Sequence, residues 1–175
     1  MNLKKNGFTL IEIILFIVVF SIGITGIVLI FTNIIGKSSS PIVREKGIQI
    51  AQSVMEEIFS KKFDEKTPNG GGTVTNPTLG PDLGETSISL YDDVDDYVDE
   101  GTEFKKEKDN YHPEDFGLSP DSNFTIKVIV QFVTINASHE IIPVNAKTDF
   151  KMITVIVKAK NLNENYKVVA VKGNF

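Results

Sequence analysis

Apolar positions follow three different patterns along this chain. From Phe8 to Ile35 they are nearly continuous: 28 residues without proline, in which Glu12 is the only charge. A helix rises about 1.5 Å per residue, so this block predicts a helix of roughly 42 Å, more than the ~20 residues that cross a bilayer core. Further on, Ile48, Ala51, Val54, Met55 and Ile58 recur at spacings of three and four, with Gln49, Gln52, Glu56 and Lys61 between them. That is the stripe of an amphipathic helix with one face turned inward. Ser38-Ser39-Ser40-Pro41 precedes it and reads as a break and a fresh start, with Ser40 as cap and Pro41 in the first turn of a second helical section, kinked from or nearly continuous with the first. In the last third the period becomes two. Phe124, Ile126, Val128, Val130 and Phe132 alternate with Thr125, Lys127, Ile129 and Gln131, and Met152–Ala159 and Tyr166–Val171 are further β-branched runs. The polar residues Asn161 to Asn165 between those two runs predict a hairpin loop.

These patterns predict an α+β chain in which an antiparallel sheet packs on the amphipathic half of a long N-terminal helix. The boundaries read as a short leader at 1–7, a membrane-length helix at 8–36, an amphipathic helix at 37–63, an acidic irregular region at 64–123 and the sheet at 124–175. Lys4 and Lys5 place the N-terminus on the cytoplasmic side of a membrane. A cleaved secretory signal would have an apolar core of about 7–15 residues followed by a small-residue site. Here the block is longer, and its small-residue triplet, Ser21-Ile22-Gly23, lies in mid-block. A plain signal anchor is the competing reading, and Glu12 argues against it, because a carboxylate inside a membrane helix costs at least about 2.5 kcal/mol. Gly23 and Gly26 also sit inside the apolar block, where each costs about 1 kcal/mol against alanine.

Gly7-Phe8-Thr9-Leu10-Ile11-Glu12, following a basic leader, resembles the class III signal of type IV prepilins and type II secretion pseudopilins. The resemblance implies a pilin-like fold. It further implies cleavage between Gly7 and Phe8 by a prepilin peptidase, N-methylation of Phe8, and Glu12 as the assembly carboxylate. The implied partners are that peptidase, other pilin or pseudopilin subunits and an inner-membrane assembly platform. The implied location is the inner membrane as a single-pass protein, then a periplasmic or cell-surface filament. A cationic amine at Phe8 and a carboxylate at Glu12 would satisfy one another across neighbouring chains, or within one helix at a spacing of four.

Composition narrows the remaining classes. The formal net charge is −5, with no clustered Lys and Arg, so a nucleic-acid surface is not expected. There is no cysteine, which removes disulfides, thiol catalysis and Cys-ligated zinc, and the two histidines are far apart. No nucleophile elbow, phosphate loop or zinc-protease motif is present, so no enzyme is expected. The negative charge concentrates between Asp82 and Asp121, densest at Asp92-Asp93-Val94-Asp95-Asp96-Tyr97. Asp92, Asp93, Asp95 and Asp96 read either as a solvated acidic loop or as calcium ligands, since Ca²⁺ takes clustered oxygens, although EF-hand spacing is lacking. No other cofactor is expected. The Asp-rich stretch ending in Tyr97, together with Met55-Glu56-Glu57-Ile58, resembles MshD- and PilV-like minor pilins.

Overall fold

The computed structural model describes residues 9–175, and the side chains of all of these except 33–40. The leader 1–7 and the residues Gly7 and Phe8 therefore lie outside the described residues. The chain divides into two compact units, Met1–Ile42 and Val43–Phe175.

One helix, α1 (Leu10–Ser60), runs through both units, with Pro41 inside it. Of the two expected arrangements, a kink or near continuity with the first section, the helix takes the continuous one, without a fresh start at Ser38–Pro41. A proline within a helix costs about 3 kcal/mol, because it removes one amide and crowds one turn. Stopping and restarting a helix would instead strand several amides and carbonyls at each new end.

In the first unit, Leu10–Thr32 is long and apolar enough to cross a membrane, and none of it is buried by the rest of the chain. Its few hydroxyls are satisfied by the helix itself. Ser21 donates to the Ile17 carbonyl at 2.6 Å, Thr25 to Ser21 at 2.8 Å and Thr32 to Leu29 at 3.0 Å. This lets them lie among hydrocarbon without unpaired polar atoms. Phe16 and Phe20, one turn apart, stack with ring centres 5.5 Å apart.

The second unit is a mixed helix–sheet layer. Its strands are β1 (Glu100–Gly101), β2 (Lys105–Tyr111), β3 (Phe124–Ile135), β4 (Ile141–Pro143), β5 (Phe150–Ala159) and β6 (Glu164–Gly173). They form one antiparallel sheet in the order β1-β2-β3-β5-β6, with β4 pairing the end of β3. On the core face Ile126 lies opposite Val157, Val128 opposite Val155, Val130 opposite Ile153 and Phe132 opposite Lys151. Ala51, Val54, Met55 and Ile58 of the predicted stripe share the core with these residues, joined by Ile50, whereas Ile48, which the spacing also placed on that stripe, is 45% exposed. At Gly47 helix and sheet come close together. A Cβ there would collide with the Tyr166 ring of β6 and come within 3.3 Å of Phe124.

The expected three runs correspond to β3, β5 and β6, and the Asn-rich hairpin turns at Lys160–Asn163, with Asn163 at φ 50°. Asparagine adopts this left-handed conformation more readily than other side chains. The stretch 64–123, expected to be irregular, contains β1 and β2. A register shift between Lys108 and Tyr111, with Asn110 at φ 68°, interrupts the pairing of β2 with β3 in a bulge before Tyr111 pairs with Ile126. The C-terminus is anchored. Buried Asn174 accepts from the Val74 amide at 2.7 Å and donates to the Val74 carbonyl at 3.0 Å, so it pairs as a strand neighbour would.

Candidate functional site

At the N-terminal end of α1, Thr9 precedes the first helical residue and Glu12 is the acidic residue of the first turn. Glu12 Oε2 accepts from the Thr9 amide and the Thr9 hydroxyl, both at a long 3.4 Å, while the Glu12 and Ile13 amides donate to the Thr9 carbonyl at 3.1 and 3.3 Å. The carboxylate thus bends back over the helix start, where free amides and the helix dipole favour negative charge. Around it the surface is apolar and open: Leu10 is 79% exposed and Ile11 65%. A Cβ added at Gly23 or Gly26 would meet nothing within 4 Å, so the chain itself supplies no steric reason for glycine there.

The acidic segment is not the solvated loop that its composition suggests. Asp93, Asp95 and Asp96 are buried, and Val94, Tyr97 and Val98 between and after them have no solvent exposure. Two features reconcile so many carboxylates with a core. First, the side chains cap their own backbone. Asp96 Oδ2 accepts from the Asp92 and Asp93 amides at 2.8 and 2.9 Å, and Asp93 Oδ1 from the Asp95 amide at 2.9 Å. Second, cations reach in from outside the segment. Lys62 pairs with Asp92 at 2.7 Å and brackets the turn with two backbone bonds, from its own amide to the Asp92 carbonyl and from the Val94 amide to its carbonyl. Lys151 pairs with Asp95. The apolar residues in the turn then complete an aromatic cluster, in which Tyr97 meets Tyr91 edge-on at 5.1 Å and stacks on Phe116 at 5.9 Å.

The electrostatics follow from this burial. Asp93 is pushed up to about 8, first by desolvation and then by the Asp95 charge. Asp95 is pushed up to about 6 by desolvation, against the lowering influence of Lys151. Desolvation also raises Asp96. Asp92, the most accessible of the four, is instead held low by its hydrogen bond from Lys62. The four predicted calcium residues therefore do not converge as one ligand set. Asp92 lies with Glu65 and Asp93 in one group and with Glu85 and Asp96 in another, each with carboxylate oxygens within 4.8 Å of one another.

Sequence reasoning missed Lys151, which stands just before the second β-branched run. It is wholly buried on the core face of β5. Its ammonium donates to the Phe63 carbonyl at 2.7 Å, lies 3.5 Å from Asp64 Oδ2 and contacts Asp95 Oδ1. The Phe63 and Phe132 rings stand 4.5 and 5.9 Å from it. One signal was available: Lys151 is in phase with Ile153, Val155 and Val157, so period two alone sends it inward.

Residues 2–28 match the family described as the prokaryotic N-terminal methylation motif. The match ends inside α1 and leaves the second unit untouched. No curated protein and no solved structure matches the chain. The chain thus carries a methylation signal leading directly into a helix of membrane-spanning length.

Proposed function

We propose that this chain is a minor type IV pilin or pseudopilin, a structural subunit rather than an enzyme, of the MshD or PilV kind. In this reading a prepilin peptidase removes residues 1–7, Phe8 carries the new methylated amine, and an inner-membrane platform assembles the subunit with its fellows. The observation that carries the reading is the matched methylation motif running into Leu10–Thr32, a surface apolar but for Glu12 and three hydroxyls, which the chain leaves uncovered. Each Leu, Ile or Phe side chain gains about 1.5–3 kcal/mol on leaving water, so this surface needs a membrane first and neighbouring helices afterwards.

Glu12 gives the assembly its register. Among hydrocarbon an unpaired carboxylate is costly, and removing the partner of a buried charge costs about 3–5 kcal/mol. The amine of a neighbouring chain, cationic with or without its methyl group, satisfies it at one axial offset only. This is how a buried polar group sets register in a coiled coil. Within one chain Glu12 reaches Thr9, a contact that serves while the subunit waits in the membrane.

Co-expression with a prepilin peptidase tests the reading. Intact mass is expected to show loss of residues 1–7 and gain of one methyl group. Glu12→Ala is expected to be processed and yet absent from sheared filaments. An uncut chain, or normal incorporation of Glu12→Ala, overturns it. A second reading, a signal-anchored domain whose acidic loop binds calcium or a partner, draws on the Glu85, Asp92 and Asp96 oxygens within 4.8 Å. It expects millimolar calcium to raise the melting temperature, and a chelator to reverse the rise.

A further inference from the structure

An amine and a carboxyl group pressed together in a dry core are a reacting pair as well as an ion pair. Lys151 and Asp95 are both essentially without solvent exposure. Holding two charges there is unfavourable unless every polar atom is matched, and transfer of one proton from Nζ to the carboxylate removes both charges at once. Burial already favours the protonated form of Asp95. The reacting form is that uncharged pair, an amine beside a carboxylic acid, held as one molecule, with solvent excluded and the entropy of encounter already spent.

We propose that Lys151 and Asp95 condense spontaneously into an intramolecular amide, with Asp64 carrying the proton. Nζ attacks the Asp95 carboxyl carbon, and a C–N bond forms as the bond to Oδ1 breaks. Asp64 Oδ2, 3.5 Å from Nζ, takes the proton that the amine must lose and returns it to Oδ1, which departs as water. No oxidant or reductant enters. Asp64 is held for this task by the Thr78 amide at 2.9 Å on Oδ2 and the Lys66 amide at 3.2 Å on Oδ1. Asp95 Oδ2 accepts from the Gly80 amide at 2.9 Å, so the oxygen that becomes negative during attack already has a donor.

The surroundings suit the product better than the ion pair. The amide oxygen keeps the Gly80 N–H, and the amide N–H keeps the Phe63 carbonyl, now 2.7 Å from Nζ. Both polar atoms of a neutral amide are thus satisfied, and no charge on Lys151 or Asp95 needs compensation. The Phe63 and Phe132 rings bar water from the reverse reaction. The bond would tie the turn after Tyr91 to β5 across 56 residues of sequence, a covalent closure that restricts the unfolded chain as a disulfide does. In a chain without cysteine, no disulfide can do so.

The test is peptide mapping of the full-length protein after complete denaturation. Expected is one branched peptide joining the segments that carry Asp95 and Lys151, at their summed mass less one water, with no tryptic cut at Lys151. Recovery of the two peptides unlinked, with cleavage at Lys151, overturns the proposal. Lys151→Arg keeps the cation but is a poor nucleophile, and is expected to show no water loss; water loss in that variant would place the bond elsewhere and also overturn it. Asp64→Asn is expected to slow linkage during refolding by about 10²-fold or more, the usual worth of a positioned acid–base group. Linkage at the unaltered rate removes Asp64 from the step.

Discussion

Glu12 and Asp95 are both carboxylates in apolar surroundings, one in each unit of the chain. Asp95 meets its cation inside its own fold, where Lys151 arrives from a strand 56 residues away. Glu12, among the described residues, reaches back only to Thr9, at 3.4 Å. The globular unit has enough chain folded over itself to bring an amine to a buried acid. A single helix has one neighbour in every direction, namely whatever surrounds it. A charge that the described residues of its own chain leave without a cation invites one from a second chain, and this is the physical content of the assembly proposed for the first unit.

Paired substitutions break the comparison most sharply. Lys151→Met keeps the volume but leaves Asp95 buried with no amine to pair or bond with, so it is expected to destabilise the globular unit by about 3–5 kcal/mol in denaturant melts of the full chain in detergent. Glu12→Ala is expected to leave those melts unchanged while removing the subunit from filaments. Similar melts for both variants would mean that the two carboxylates are not separated in the way described.

A smaller effect is expected where helix and sheet touch. Gly47→Ala forces the Tyr166 ring away from α1, and overpacking of this kind costs about 1–3 kcal/mol. The ring cannot leave freely, since the Tyr166 hydroxyl donates to Glu164 at 3.0 Å and Glu164 is bound by Arg44 at 2.6 Å. An unchanged melt would show that the contact is loose.

A further comparison concerns pH. Asp93 is raised from 3.8 to about 8, so the folded state holds a proton that the unfolded state has released. Its contribution is fully present below pH ~4 and is lost as pH rises through about 8, because stability falls with pH wherever the folded state binds more protons. Asp93→Asn keeps the oxygen that accepts from the Asp95 amide and has no proton to lose. The melting temperature of that variant is expected to fall less between pH 5 and 8 than that of the unaltered protein. Parallel curves would refute the assignment.

Much of the architecture was readable along the chain. The stripe from Ala51 to Ile58 and strands β3 and β5 each bury a face whose period the sequence displays, β6 repeats that period half-buried, and the Leu10–Thr32 span is legible from its length and unbroken apolarity although the chain buries none of it. Strand β2 was not readable, because Lys-Lys-Glu-Lys-Asp-Asn-Tyr has no apolar alternation and buries only Tyr111. It exists through its ladder with β3 and through ion pairs such as Lys127 with Glu107 at 2.8 Å, and neither is visible locally. The acidic turn was misjudged for a related reason. Composition counts its carboxylates, but not the amides at Gly80, Asp92, Asp93 and Asp95 that receive them.

Sequence alone determined the methylation signal, the membrane-length helix and the isolated charge within it, because these depend on the order of residues along one segment. Tertiary structure alone decided that Asp95 lies against Lys151 and Asp64, that an acid-rich turn closes the core, and that Gly47 must admit an aromatic ring. Each of these depends on segments distant in sequence sharing one dry volume, where the energy of a charge is set by its neighbours in space.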